Sequence, residues 1–328
     1  MTLTAIVPVW NGRDFFARLL ATLDAQTQAA TELLVIDNGS TDDAPELARQ
    51  RGARVISMGR NAGFAAAVNR GIRECRSEWI AILNSDVELA PDYFARLVAT
   101  GAPFATGKIL SAAATSQIDG TFDAMCRGGV AWRVGQGRAD GPVFSERRDI
   151  AAAPWTALIC RAELFSRVGL LQENFESYLE DVEFGLRCAV RGVTGVYVPE
   201  AMAWHHGSAT LGRWHADTVR RLSRNQCYLV ALHYPPALLR RCAWPILVAQ
   251  LLWGIVAARH GAAWAWICGK WEGLRRGPTL RRHSRFVEEK LLDDWLRENE
   301  RNIHHIQHVT GFDPYWRLYF LLTSGGAK

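Results

Sequence analysis

The sequence predicts an α/β fold, with a mostly parallel central sheet, helices on both faces, and a C-terminal helical region. Two observations carry this. Four apolar runs of strand length alternate with segments of helical spacing up to Leu83, and each run gives way to a polar turn. After about Asp217 the pattern is helical to near the end. The expected division is 1–215 for the α/β domain and 216–328 for the helical region.

The elements follow in order. Thr4–Val9 reads as a first strand, Asn11-Gly12 as its turn, and Phe15, Leu19, Leu20 and Leu23 as one helix face. Glu32–Asp37 is a second strand ending in a carboxylate, and Asn38–Asp42 turns and caps a helix to about Arg51. Ala53–Ser57 is a third strand; Asn61-Ala62-Gly63 turns into a helix with Ala65, Val68 and Ile72. Trp79–Leu83 is the fourth, apolar enough to be buried on both faces. Strands alternating with helices imply right-handed crossovers and parallel pairing. Further strands are expected at Phe104–Leu110, Trp155–Arg161 and Val193–Val198, and a helix at Tyr178–Arg191. Thr115–Glu146, rich in glycine, reads as irregular loops or a hairpin over the sheet, a setting typical of binding loops.

Composition narrows the class. The 328 residues are 49% hydrophobic and 22% charged, ordinary for a globular chain. The seven cysteines form no C-x-x-C pair, which argues against a disulfide framework or structural zinc and for a reducing compartment. No secretory leader is expected, because Met1–Val9 is uncharged and already contains Pro8. The net charge is +5, with arginines from Arg220 to Arg285 crowding the last third. No nucleic-acid-binding motif accompanies them, so a polyphosphate or an anionic membrane surface is the better partner. Cys242–Ala258 is uncharged and falls at the short edge of a membrane span; Trp264, Trp266 and flanking arginines favour an interfacial helix or re-entrant pair, and a buried helix is the plain alternative.

The chemistry-bearing residues stand at the ends of the strands. Asn11, Asp37, Asn61 and Asp86 each follow an apolar run, and in a doubly wound sheet such ends converge on one crevice. Asp37 can accept from a base N–H or a ribose hydroxyl. Asp86, just past Asn84 and Ser85, can hold a hard cation against a diphosphate; the plain alternative is a turn and helix cap before Pro91. Neither a P-loop nor a dinucleotide fingerprint is present. Glu180-Asp181 opens a helix, and His205-His206 offers imidazole ligands or structural histidines. Arg220, Arg221 and Arg224 either reach a diphosphate or form a solvated face.

Taken together, Val7-Pro8-Val9-Trp10-Asn11, Val35–Asp42, Asn61-Ala62-Gly63-Phe64 with Asn69, Leu83-Asn84-Ser85-Asp86, Phe175–Glu183 and His205-x-Gly207-Ser208 resemble the family 2 inverting glycosyltransferases of the GT-A fold, a Rossmann-like arrangement. The likeness is greatest to the bacterial rhamnosyltransferase-type branch and spans about residues 3 to 235. It implies Asp181 as catalytic base and Asp86 with His205 as ligands of Mg2+ or Mn2+. It implies a donor site of Pro8, Val9, Asn11, Asp37, Asn61, Gly63, Asn69, Asn84, Ser85, Asp86 and Arg224, with Trp155 and Glu180 toward the acceptor. Asn84 replaces a commonly acidic residue, and Ser85 a usual proline.

The expected activity is transfer of a rhamnose-like or other hexose from a UDP- or dTDP-linked donor to a cell-surface glycan or lipid-linked acceptor. The expected place is cytoplasmic, peripheral on the inner face of the cell membrane. The alternative is a membrane-associated nucleotide-binding or scaffold protein with a degenerate site, suggested by Asn84. A nucleotidyltransferase would need a better basic Gly-rich loop than Val9–Arg13.

Overall fold

A computed structural model describes residues 1–207, 214–282 and 288–324. Ser208 of the His-x-Gly-Ser motif and Arg285 of the basic cluster lie outside them. The chain divides into two compact units, one of Met1–Asp123 with Arg133–Thr210, the other of Ala124–Trp132 with Leu211–Lys328.

The first unit opens as the hydropathy pattern dictates. Strands β1 (Leu3–Val9), β2 (Glu32–Asp37), β3 (Arg54–Ser57) and β4 (Trp79–Leu83) alternate with helices α1 (Arg13–Asp24), α2 (Ala44–Gln50) and α3 (Phe64–Glu74). They pair in parallel in the order β4-β1-β2-β3, with Val9 opposite Asp37 and Asp37 opposite Ser57. The C-terminal ends of β1, β2 and β3 therefore line up. All five residues of β4 are buried, because the strand is central and covered on both faces.

Beyond β4 the sheet is mixed. After β5 (Val87–Leu89) and helix α4 (Tyr93–Val98) come β6 (Phe104–Ser111), β7 (Ile118–Gly120), β8 (Asp123–Met125), β9 (Ala131–Arg133), β10 (Arg148–Ile150) and β11 (Ala157–Arg161). Helices α5 (Leu164–Val168) and α6 (Glu180–Ala189) precede β12 (Gly195–His205). The full order is β10-β12-β6-β11-β4-β1-β2-β3, with β5 on β12 and β7 on β6. Strand β11 runs antiparallel between β4 and β6, while β6 and β12 are parallel. One core of Val7, Val9, Phe16, Leu19, Leu83, Tyr93, Phe94 and neighbours fills one face.

Strand β12 is longer than the expected Val193–Val198. It passes a register shift between Val198 and Met202, where Pro199 and Glu200 stand, and continues to His205. A proline at a bulge interrupts the ladder without ending the strand. His205 is thus held by sheet pairing on two sides, to Ser111 and Val87.

The second unit is mainly helical: α7 (Ala216–His233), α8 (Pro236–Arg241), α9 (Ala243–Arg259), α10 (Ala263–Arg282), α11 (Glu289–Thr310) and α12 (Pro314–Thr323). Among the described residues, no helix is long and apolar enough to cross a membrane. This bears against a span at Cys242–Ala258 and leaves the interfacial and buried readings standing.

Candidate functional site

Side-chain bonds between loops fix the ends of β1–β3. Asn11 adopts φ +61°, in a region where Asn is among the more tolerant residues. Its backbone N–H donates to Ser40 Oγ at 3.0 Å, and its Oδ1 accepts from the Thr41 N–H at 2.8 Å. Asp37 Oδ1 accepts from the Ser40 N–H at 2.8 Å, and Oδ2 from Ser57 Oγ at 3.1 Å. Asn38 and Asn61 interlock, with Asn38 Nδ2 donating to Asn61 Oδ1 and Asn61 Oδ1 also accepting from the Gly63 N–H. Gly63, at φ +88°, lies so close to Glu176 that a Cβ would come within 2.8 Å of its backbone. The expected donor residues thus also hold the loops in shape.

Past β4, Asp86 meets His205. Its Oδ1 is 3.2 Å from His205 Nε2, and the backbone carbonyl of Asp86 accepts from the His206 N–H at 3.0 Å. The other ring nitrogen, Nδ1, is 2.8 Å from Asp119 Oδ2. Burial opposes charge on all three groups. The bonds outweigh it: His205 is raised to about 9, and the Asp86 and Asp119 carboxyls fall below their usual range. His206 instead meets Glu88 at 2.7 Å.

Asp86 and His205 fit a divalent cation. A carboxylate and an imidazole suit Mn2+, and an imidazole whose Nδ1–H donates to a carboxylate presents Nε2 as the ligand. Among the described residues no group of three or more His, Cys, Asp or Glu could hold a metal ion, so a cation on these two would take its other positions from a bound ligand's oxygens and water.

The N-terminus of α6 carries the acidic pair. Glu176, Tyr178 and Leu179 all adopt positive φ (59°, 74° and 67°), a strained run for residues with side chains. The Gly63–Phe64 turn braces it: the Ala65 N–H donates to the Glu176 carbonyl, and the Phe64 N–H to Ser177 Oγ. Asp181 Oδ2 accepts from Arg133 Nη2 at 2.8 Å. The same guanidinium donates through Nε to Asp123 Oδ1 at 3.3 Å. Burial pushes the Asp123 carboxyl up to about 7. Burial, then the charge of Asp181, raises the Glu180 carboxyl well above its usual range. Glu180 Oε2 and Asp123 Oδ2 are buried without a hydrogen-bond partner among the described residues. Glu183 is locked by Arg187, which also donates to the carbonyls of Val168 and Leu170.

The structure brings Asp86 and His205 into contact and ties Asp181 to Arg133; several other expected residues are buried or already committed to bonds. Val9 is fully buried in the core, because alternation along β1 turns Val7 and Val9 inward and leaves Pro8 half-buried on the other side. Asn69 is buried, and its amide is committed to Leu171 and Glu173, where it pins the approach to α6. Trp155 is only 3% exposed, packed against Phe165 and Phe184, so its ring offers no sugar platform. Asn84 and Ser85 are half-buried, and the Asn84 N–H donates to the Thr156 carbonyl. Arg224 belongs to the second unit, where it is buried, donates to Asn225 Oδ1 and lies over Tyr228; it is no solvated face. Sequence reasoning missed Asp119, Asp123 and Arg133. All three stand in the Gly-rich stretch 115–146, whose setting signalled function but whose pattern singled out no residue.

Residues 4–101 match the family model described as glycosyl transferase family 2. The N-acetylglucosaminyl-diphospho-decaprenol L-rhamnosyltransferase of Mycobacterium tuberculosis is 28% identical over 244 residues, 64% of this chain and 79% of that protein. The succinoglycan biosynthesis protein ExoO of Rhizobium meliloti is 34% identical over 98 residues, 29% of this chain and 28% of that protein. Among solved structures, GalNAc-T7 with UDP, GalNAc and Mn2+ matches with a TM-score of 0.62 at 15% identity, over 95% of this chain and 58% of that one. The mannosyltransferase PcManGT from Pyrobaculum calidifontis, with GDP-Man and Mn2+, matches at 0.50 and 14% identity, over 99% and 88%. At such identities the structural likenesses speak for the fold, which is that of GT-A enzymes. Together, the family match over residues 4–101, the curated relatives and the shared fold support a family 2 glycosyltransferase of the rhamnosyltransferase type.

Proposed function

We propose that the chain moves a sugar, with inversion, from a UDP- or dTDP-linked donor to a hydroxyl of a lipid-linked or other cell-surface glycan. A rhamnose-like deoxysugar is the favoured donor, given the name of the mycobacterial relative. The observation that carries the reading is the arrangement within the first unit. Asp86 and His205 face each other at 3.2 Å, and Asp181 stands at the N-terminus of α6 with its carboxylate on Arg133.

In this reading Asp86 and His205 hold Mg2+ or Mn2+, which when bound offsets charge growing on the leaving diphosphate. Pro8, Asn11 and Asp37 border the nucleobase, Asn61 and Gly63 shape the adjoining turn, and Asn84 and Ser85 border the diphosphate. Asp181 takes the proton from the attacking acceptor hydroxyl, and its bond to Arg133 holds the carboxylate in place. Glu180, beside it, would bond an acceptor hydroxyl through Oε2, which is buried without a partner among the described residues. The enzyme works at the inner face of the cell membrane, where a lipid-linked acceptor lies.

Donor turnover tests this directly. The protein with Mn2+ or Mg2+ is expected to release nucleoside diphosphate from one of a panel of UDP- and dTDP-sugars in the presence of acceptor. Asp181→Asn is expected to lose that turnover by about a hundredfold or more while keeping the donor's melting shift. Turnover at the wild-type rate in Asp181→Asn removes the residue from the role of base. Binding without turnover in the wild type would instead mark a degenerate site.

A further inference from the structure

The second unit exposes apolar side chains in register along neighbouring helices. On α9, Trp244, Leu247, Leu251 and Ile255 recur at a spacing that keeps them on one face, and all four are exposed. On α10, Trp264, Ile267, Trp271 and Leu274 do the same, with Trp264 74% and Trp271 68% exposed. Helix α12 adds Leu318, Leu321 and Leu322. Helix α9 packs against both α10 and α12. At one junction Trp244 Nε1 donates to the Leu322 carbonyl at 2.9 Å; at the other Gly254 lies against the Trp266 indole. The stripes therefore adjoin and form one patch.

Along α9 and α10 the charge is almost all of one sign. Between Pro236 and Arg282 the only acidic residue is Glu272, and it is paired with Arg220. Arg259 and Arg275 fall at the helical phase of the α9 and α10 stripes, and Arg240, Arg276 and Arg282 are also exposed. A large apolar patch on a globular unit marks an interaction surface. Indoles beside arginines, with almost no acid, match the headgroup boundary of an anionic bilayer. A second copy of the same face would set arginine against arginine.

We propose that α9, α10 and α12 form a docking face for an anionic lipid surface, with the indoles in the headgroup layer and the arginines on lipid phosphates. This rests on the reading above of an enzyme acting at the membrane, and it assigns the face and the lipid charge.

The test is co-sedimentation of the full chain with vesicles of phosphatidylglycerol and phosphatidylcholine, and with phosphatidylcholine alone. The expected result is binding to the first only, weakened by salt, and reduced about tenfold or more in Trp264→Glu/Trp271→Glu. Both substituted residues are exposed, so the melting temperature is expected to stay near wild type. Arg259→Glu/Arg275→Glu, which leaves the apolar stripe intact, is expected to weaken binding to the anionic vesicles too. No vesicle binding, equal binding to both compositions, or undiminished binding by both variants overturns the proposal. So does a wild-type dimer that the tryptophan variant dissociates without any vesicle binding. Donor turnover on a soluble acceptor, measured in parallel, separates this from the catalytic reading: it is expected to be unchanged in both variants, and its absence in the wild type would count against that reading alone.

Discussion

Asp119 Oδ2 lies 2.8 Å from His205 Nδ1, while Nε2 of the same ring faces Asp86 Oδ1. The ring is held from behind by one carboxylate and presented to another. A bond at Nδ1 fixes which nitrogen carries the proton and how the ring is turned, and it raises the basicity of the free nitrogen. Against burial, His205 itself, then the Arg133 charge and a bond from Gln136, hold the Asp119 carboxyl below its usual range. On the proposed reading it acts on His205 as a positioning residue rather than as a ligand.

Asp119→Asn keeps the size of the side chain and removes its charge. The expected outcome is a fall of about 10- to 100-fold in Mn2+ affinity, with the fold intact. Titrating Mn2+ against the melting temperature in the presence of a nucleoside diphosphate measures it. Wild-type affinity in the variant would show that the ring needs no such support.

Arg133 is the cation between Asp123 and Asp181, with Asp119 in its field. Removing the positive member of a buried ion group strands the carboxylates and costs about 3–5 kcal/mol. Arg133→Met is therefore expected to be strongly destabilised in urea unfolding. Adding Asp123→Asn should restore part of that loss, because one stranded charge goes with it. Strict additivity of the two substitutions would show that the residues are not coupled.

Asp123 makes a pH dependence. Its folded carboxyl, pushed up to about 7, binds a proton more tightly than an unfolded aspartate, which titrates near ~3.9. This group's contribution to stability is thus full below that unfolded value and is lost as the pH rises from there through 7. Asn has no such proton to lose. Asp123→Asn is expected to gain on the wild type between pH 5 and pH 8 by about 1–3 kcal/mol. Urea unfolding at the two pH values reads it, and a difference independent of pH would show that the carboxyl titrates normally.

What could be read in advance follows from how each residue is positioned. Asp37 and Asp86 follow apolar runs, so local pattern puts them at strand ends. His205 was within reach only through its motif, since Pro199-Glu200 broke the strand pattern that places it. Asp119, Asp123 and Arg133 sit on strands of three residues, too short to show a period. Trp155 was expected toward the acceptor, and sequence did not show its burial because the rings that cover it, Phe165 and Phe184, are brought in by folding. The amide of Asn69 met the same fate, spent on Leu171 and Glu173. The placement of Val9 needed only the alternation of β1, which already sets Val7 and Val9 on one side.

Gly63 couples two distant stretches of sequence, and a single methyl group tests that coupling. Its φ of +88° disfavours any side chain, and a Cβ would press within 2.8 Å of the Glu176 backbone. That backbone belongs to the strained run leading into α6 and Asp181. Gly63→Ala must therefore either push this run away or distort the Asn38–Asn61 lattice. The expected loss of stability is about 1–3 kcal/mol. The more telling expectation is a drop in turnover, on the order of tenfold or more, larger than any loss of nucleotide affinity, since small displacements of a catalytic group are costly. Parallel measurements of donor melting shift and turnover decide it. Equal losses in both would mean that Gly63 serves only the Asn38–Asn61 loops and does not brace the residues that lead into Asp181.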